Sequence, residues 1–241
     1  MIELLGIGLA DERGDWLLHR VCARFERGEL TAVVSARRET AQALLDALTA
    51  RCIPVEGRVW IQRLPLMRET ATRVRGLVVD AGPDARFTDH RSLLWNTLVT
   101  PRAALMGLLR FPRPAERAAA ARALAAVQLE LRWRDAVSTL TSLERARLAL
   151  ARALARRPRA LVLRDVDEAL GADDAAALLR LVRGLARDER LPAIASVGSA
   201  VLARACADRL IVLADGLLVF DGPAIEFNDE VAGRRLRGMV G

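Results

Sequence analysis

The chain has 241 residues, of which 52% are apolar and 28% are charged. This balance is typical of a globular protein and excludes a disordered tail or linker. The formal net charge of +7 comes from arginine alone, because the sequence contains no lysine. Arginines on solvated helix faces and a nucleic-acid surface would both explain this charge. Since aromatic residues make up only 4% of the chain, we expect no nucleic-acid partner.

The apolar runs are too short to cross a bilayer, which takes roughly 20 consecutive apolar residues. Runs such as Leu210–Ala214 have the length of a strand and are bounded by charge. The N-terminal residues lack the basic start and the apolar stretch of a signal peptide. We therefore expect a cytoplasmic protein, or one that is peripheral at the inner face of the membrane and held there only by a partner.

The first part of the chain predicts a sheet-rich start. Hydrophobic patterning indicates strands over 2–9, 18–26 and 29–34, then an amphipathic helix over 40–50. Strands follow over 57–61 and 75–80. From 92 to 131 the pattern is helical, with a break at the two prolines, Pro112 and Pro114. We interpret this stretch as a helical insertion.

The last third alternates helices with apolar strands, which indicates a parallel sheet covered on both faces. Asp215 and Gly216 predict a tight turn into a closing hairpin. The fold class is therefore α/β: a single domain over 1–241, with N-terminal antiparallel strands, a mixed sheet core and an insertion over roughly 88–140. The predicted elements of this part are helix 142–156, strand 160–165, helix 173–188, strand 192–197, helix 199–206 and strand 209–214.

Several segments carry a family resemblance. Residues 207–223, ADRLIVLADGLLVFDGP, and 140–165, LTSLERARLALARALARRPRALVLRD, resemble the end of the catalytic core and the signature helix with its Walker B strand in ATP-binding-cassette (ABC) ATPases. Residues 25–34 and 57–61 extend the likeness to nearly the whole chain, which is most similar to the ATP-binding subunits of phosphonate-type importers. The resemblance implies a P-loop NTPase-like fold, a dimer and a membrane permease as partner.

The residues at the phosphate-loop position differ in chemical type from those of the family motif. The family form GPSGAGKST cradles phosphates with backbone N–H groups and a lysine. Residues 35–43 in the same register are SARRETAQA, without a glycine or a lysine. Ala41 stands at the lysine and Gln42 at the hydroxyl that would hold Mg²⁺, while Glu39 adds a negative charge.

The other motifs implied by the resemblance differ as well. Asp11 stands where an adenine-stacking aromatic is expected, Asp80 replaces the Q-loop glutamine, and Gly198 falls at the switch histidine. The signature LSGGQ is replaced by residues 140–144, LTSLE, in which Thr141-x-x-Glu144 has the form of a helix capping box.

Asp165 is the retained Walker B aspartate, but we expect no metal site there, because a carboxylate at a strand end commonly serves as a turn or cap residue. Val166 follows where the catalytic glutamate is expected. Since the three cysteines lie far apart and show no CxxC spacing, we expect no zinc site elsewhere. Neither catalysis nor a bound cofactor is expected.

Two functions remain open. The first is a non-catalytic scaffold or regulatory subunit that docks on a permease or an intact ABC ATPase subunit, as a homodimer or heterodimer. Leu93, Leu94 and Trp95 are its candidate partner contacts, with packing of an amphipathic helix as the alternative.

The second function is an importer subunit with weak or altered binding of ATP and Mg²⁺ or of another anion. Arg37, Arg38 and Thr40 are the candidate anion contacts at a helix N-terminus. The alternative is that Arg37 and Arg38 are both solvated and only balance the negative charge of Glu39.

Overall fold

The computed structural model describes residues 1–98 and 113–228. They divide into two units. The first comprises residues 1–80 and the described residues from 159 onward, and the second comprises the described residues of 81–158. The predicted insertion, roughly 88–140, lies inside the second unit, whose bounds are wider on both sides.

The first unit contains two sheets. A four-stranded antiparallel sheet has the order β2-β1-β4-β5, and a six-stranded sheet has the order β10-β9-β3-β8-β7-β6. The strands are β1 (Ile2–Ala10), β2 (Trp16–Phe25), β3 (Leu30–Ser35), β4 (Glu56–Ile61), β5 (Leu64–Pro65), β6 (Val78–Asp80), β7 (Ala160–Leu163), β8 (Ala193–Ser196), β9 (Arg209–Ala214) and β10 (Leu217–Pro223).

The larger sheet is parallel except at one edge. β9, β3, β8, β7 and β6 pair in parallel, and β10 pairs antiparallel with β9. All of β7 and β8 and nearly all of β3 are buried, as expected for strands covered on both faces. The carboxyl ends of β3, β7 and β8 therefore lie side by side, where ligands bind in open α/β sheets.

The helices of the first unit follow the strands. In α1, Leu44, Leu45 and Leu48 are buried in the core, which the predicted amphipathic spacing explains. The turn into β10 has positive φ at both Asp215 (48°) and Gly216 (79°), so the predicted tight turn is confirmed. The helices of this unit are α1 (Arg38–Leu48), α2 (Ala71–Leu77), α6 (Val166–Leu170), α7 (Ala172–Asp188) and α8 (Ala200–Cys206).

The second unit is helical in its described part. Its helices are α3 (Leu93–Leu98), α4 (Pro114–Ala126) and α5 (Ser142–Leu154). The predicted capping box at α5 is present: Glu144 N–H donates to Thr141 Oγ1 (3.3 Å), and Thr141 N–H donates to the Glu144 carboxylate (2.9 Å). The bond from Thr141, followed by that from Arg132, lowers the pKa of Glu144. Residues 99–112 of the predicted helical stretch lie outside the described residues.

Two element predictions were wrong. The strand predicted over 75–80 is a helix as far as Leu77, because Ala71 and Val74 bury one face at helical spacing, and only the short edge strand β6 remains. The strand predicted over 160–165 ends at Leu163. Asp165 instead adopts a left-handed conformation (φ 45°) before α6, a short helix that we did not predict.

Asp208 joins three elements of the first unit. Its carboxylate accepts from the backbone N–H of Leu30 (3.0 Å), from Arg183 Nε (2.8 Å) and from Arg187 Nη2 (2.7 Å). Burial alone would raise the pKa of Asp208, but these hydrogen bonds lower it overall. The start of β3 is thereby tied to α7 and to the start of β9.

Replacing Asp208 tests this tie. Asp208→Asn keeps the size but loses the charge, and we expect the free energy of unfolding at neutral pH to fall by about 1–3 kcal/mol. Because the folded-state pKa is lowered, the carboxylate stabilises the protein above its unfolded-state pKa and loses this effect as the pH falls through the folded-state value. Urea unfolding at neutral and acidic pH should show the two proteins converging in acid.

The exposed Asp188→Asn is the matched control and should leave stability unchanged at both pH values. A loss in Asp208→Asn that is equally large in acid would contradict an electrostatic role.

Candidate functional site

The candidate site lies at the carboxyl ends of β3, β7 and β8. Only Ala36 and Arg37 connect β3 to α1, which begins at Arg38. Most of the residues aligned with the phosphate loop, namely 38–43, are therefore helical. The local sequence explains this, because residues 35–43 contain no glycine that would favour an open loop.

Arg38 forms a two-carboxylate ion pair in this region. Its Nε and Nη2 lie 2.9 Å and 2.7 Å from Asp165 Oδ2, and its Nη1 lies 2.8 Å from Glu168 Oε1. The hydrogen bond to Asp165 raises the pKa of Arg38. The Arg38 side chain is 57% exposed, whereas that of Asp165 is only 16% exposed. The guanidinium thus covers a carboxylate that is mostly removed from solvent.

Two further side chains complete the surroundings of Asp165. Gln42 Nε2 donates a short hydrogen bond to Asp165 Oδ2. Ser196 Oγ donates to Asp165 Oδ1 (3.1 Å) and accepts from the Asp165 backbone N–H (2.8 Å). The left-handed backbone at Asp165, which aspartate tolerates better than most residues, is held by this reciprocal pair.

Arg164, the residue before Asp165, is the centre of a second polar cluster. Its side chain is 5% exposed, and its Nε lies 2.7 Å from Asp80 Oδ2. Its Nη2 lies 3.0 Å from Asp46 Oδ1 and donates to Thr49 Oγ1 (3.1 Å), while Nη1 donates to Gln42 Oε1 (3.0 Å). Gln42 therefore links the two clusters.

Arg164 was not among the site residues predicted from the sequence. The available signal was an arginine at the end of the otherwise apolar run Ala160–Leu163. A buried arginine needs several acceptors, and Asp80, considered only as a motif position, is one of them. Arg51 Nη2 also binds Asp80 Oδ2 (2.9 Å).

Asp167 occupies the region beside Gly198. Its carboxylate accepts from the backbone N–H groups of Gly198 and Ser199, each at 3.0 Å, just before α8. The backbone amides that precede α8 are thus paired with a carboxylate of the same chain.

Two cavities adjoin α1. One, of about 310 Å³, has apolar walls that include Leu9 and Leu17. The other, of about 490 Å³, is bounded by Ser35, Asp165 and Gly198. Of the described residues, Arg38 alone lines both.

The predicted anion contacts are not brought together. Arg38 is engaged by Asp165 and Glu168, and Arg37 is exposed and lines neither of these cavities. Thr40 is 1% exposed, and its Oγ1 has no hydrogen-bond partner among the described residues. Helical geometry thus turns Thr40 inward, away from the solvent that Arg37 faces, and its role as an anion contact stays a prediction.

The predicted partner contacts on α3 differ in exposure. Leu93 is fully buried, so its prediction as a partner contact is wrong and the packing alternative applies. Leu94 and Trp95 are partly exposed, and the Arg91 guanidinium lies 5.5 Å from the centre of the Trp95 ring.

Residues 1–98 and 113–228 show neither a metal cluster nor a membrane-spanning helix. No group of three or more His, Cys, Asp or Glu residues in these ranges is arranged to hold a metal ion. No helix described there has both the length and the apolar character needed to cross a bilayer.

Comparison with known proteins identifies relatives that cover most of the chain, although no protein-family model matches it. The phosphonates import ATP-binding protein PhnC 2 of Rhodopseudomonas palustris is 34% identical over 94% of this chain and 81% of its own length. PhnC 1 of Natronomonas pharaonis is 32% identical over 92% and 94%. The phosphite import ATP-binding protein PxtA of Stutzerimonas stutzeri is 30% identical over 85% and 76%.

Solved structures agree on the fold. CbiO1 of Clostridium perfringens, part of the ABC transporter complex CbiONQ, superposes with a TM-score of 0.82 at 17% identity, over 99% of this chain and 93% of CbiO1. The ADP conformation of the cassette MJ1267 gives a TM-score of 0.82 at 15% identity, over 100% and 98%. The chain therefore belongs to the ABC ATPase family, among the phosphonate-type import ATP-binding proteins.

Proposed function

We propose that this chain is a non-catalytic subunit of an ABC import system, which acts as a scaffold or regulator without binding nucleotide. The observation that carries the proposal is the ion pair between Arg38 and Asp165. Asp165 is the carboxylate that the family resemblance assigns to Mg²⁺, and here it pairs with an arginine of its own chain. The residues of this cleft do not fit a bound Mg²⁺–nucleotide.

Two further features support the inference that Mg²⁺–nucleotide does not fit this cleft. The direct passage from β3 into α1 leaves no glycine loop whose N–H groups could surround phosphates. Glu39, in the first turn of α1, is exposed and adds negative charge near the position that a phosphate would take. Charge repulsion and the lack of donors both act against nucleotide binding.

Residues 140–144, which lie in the second unit at the position of the signature motif, also support the proposal. Thr141 and Glu144 are used to cap α5, and residues 140–144 contain no glycine. A backbone with side chains at these positions cannot approach a phosphate as closely as one with glycines can.

The partner that we propose is a membrane permease, with Leu94 and Trp95 as the contacts on α3. An intact ABC ATPase subunit is the second proposed partner. The relatives named for phosphonate and phosphite import suggest that the system takes up a compound of this class. The subunit would then work at the inner face of the membrane through the permease.

The alternative is an importer subunit that still binds ATP weakly. The names of its relatives favour it, as does the retention of Asp165. The two functions differ in one directly measurable property, which is the affinity of the purified protein for nucleotide.

Nucleotide binding is the first test. We expect neither saturable heat in isothermal titration with Mg²⁺–ATP nor a rise in the melting temperature at millimolar nucleotide. A ligand at 100 times its Kd would stabilise the folded state by about 2.7 kcal/mol, so a thermal shift would reveal a micromolar site. The R. palustris relative is the positive control, and saturable binding to this chain would establish the alternative.

Stability without nucleotide should depend on Arg164. Arg164→Met removes the buried guanidinium and leaves the half-buried carboxylates of Asp80 and Asp46 with Arg51 as a cation, and we expect the free energy of unfolding to fall by about 1–3 kcal/mol. Urea unfolding measures this change. Arg180→Met, on the exposed face of α7, is the matched control; equal effects of the two changes would show that the cluster around Arg164 is not stabilising.

Docking on the permease should depend on Trp95. We expect Trp95→Ala to reduce co-purification with the permease of the proposed import system, because aromatic residues often contribute much of the binding energy of an interface. Trp133→Ala is the control, since Trp133 lies in the same unit and also has an arginine over its ring, 4.4 Å from Arg134. Circular dichroism verifies folding, and unchanged co-purification of Trp95→Ala would reject this contact.

A further inference from the structure

We propose that segment 131–134 of the second unit contacts the bilayer directly, with Leu131 and Trp133 entering the interface of an anionic membrane and Arg134 binding lipid phosphate. This inference goes beyond the proposed function, in which the permease alone holds the subunit at the membrane. It assigns a lipid surface as a second partner, through a different tryptophan from the proposed permease contact.

The positive charge of the chain is concentrated in the second unit. Residues 81–158 contain fourteen arginines and six acidic residues, which gives a formal charge of +8, whereas all other residues together carry −1. Each arginine close to an anionic membrane surface strengthens attachment about fivefold. The second unit is therefore the part of the chain that such a surface attracts.

Segment 131–134 presents two large apolar side chains to solvent. Leu131 is 91% exposed and Trp133 is 39% exposed, which makes them the most exposed large apolar residues in the described part of the second unit. Tryptophan is enriched at membrane–water interfaces, where its amphipathic ring lies at the level of the headgroups. Leucine gains free energy by leaving water for the acyl region. Both side chains suit a bilayer surface.

Arg132 holds the segment in this conformation. Its guanidinium donates to three side chains of the same unit: Asp135 Oδ2 (2.8 Å), Glu144 Oε1 (2.5 Å) and Thr139 Oγ1 (3.0 Å). Because the residue between Leu131 and Trp133 is bound at three points, the two apolar side chains stay exposed without any rearrangement. A contact that is ordered in advance loses little conformational entropy on binding.

Two arginines supply cations beside the apolar pair. The Arg134 guanidinium lies 4.4 Å from the centre of the Trp133 ring. Leu94 N–H donates to the Trp133 carbonyl oxygen (3.0 Å), so the start of α3, with the exposed Arg91, lies against the segment. Neither arginine forms an ion pair with a carboxylate in the described part of the chain, and guanidinium groups bind phosphate well. The exposed Glu130 opposes them.

The experiment measures co-sedimentation of the full-length protein with two kinds of vesicle: phosphatidylglycerol and phosphatidylcholine in equal parts, and phosphatidylcholine alone. We expect binding to the anionic vesicles only, and weaker binding at high salt. Leu131→Ala and Trp133→Ala should each lower the partition coefficient about tenfold. Trp16→Ala is the matched control, since Trp16 is 40% exposed but lies in the first unit, and it should change nothing.

Charge variants test the same contact with opposite signs. Arg134→Gln should lower the partition coefficient on anionic vesicles about fivefold, whereas Glu130→Gln should raise it by a similar factor, because it removes the opposing charge. Arg180→Gln removes an exposed arginine of the first unit and should have no effect.

Three outcomes would overturn the proposal: no preference for anionic vesicles, equal losses in Leu131→Ala and Trp16→Ala, or displacement of the protein by millimolar glycerol 3-phosphate, which would indicate a site for soluble anions. Tighter binding to duplex DNA than to the vesicles would also overturn it. Leu131→Ala should fold, because a side chain that is 91% exposed contributes little packing. Since the vesicles contain neither permease nor nucleotide, failure here rejects only the bilayer contact and leaves the proposed function to its own tests.

Discussion

The arrangement of the site depends on one constraint: a carboxylate at the end of a buried parallel strand must have its charge compensated. The Asp165 side chain is 16% exposed, and an unpaired charge in such a place is costly. In this chain the compensation comes from within, through Arg38 and Gln42 of α1 and through Ser196 of β8. The start of α1 and the ends of β7 and β8 are thereby fixed relative to one another, and the shape of both cavities follows.

Most of the fold could be predicted, because its strands, helices and turns follow from local sequence patterns. The apolar runs of β3, β7, β8 and β9 and the helical spacing in α1 and α7 indicate a parallel sheet with its helices. The left-handed turn at Asp215 and Gly216 and the capping box at Thr141 are local signals as well. Errors arose where two patterns overlap, as at α2 and β6, and at Asp165, where side-chain contacts select the backbone conformation.

The polar clusters could not be predicted, because their members are distant in sequence. Arg164 meets Asp80, Asp46 and Gln42 only once β6, β7 and α1 are packed together. A motif comparison asks which residue has been lost at each position. It does not ask what replaces the lost interaction, and in this site two charged replacements have internal partners: Arg38 pairs with Asp165, and Asp80 pairs with Arg164.

The start of α5 has a consequence for gene dosage. In the dimers that the family resemblance implies, each composite site takes its phosphate loop from one subunit and its signature from the other. A subunit with a capped helix at the signature position and no phosphate loop would disable both sites of any intact subunit that it joined. Under the proposed function, transport activity should then depend on the ratio of the two chains, and a cell that overproduces this one would lower uptake without changing the amount of the intact subunit.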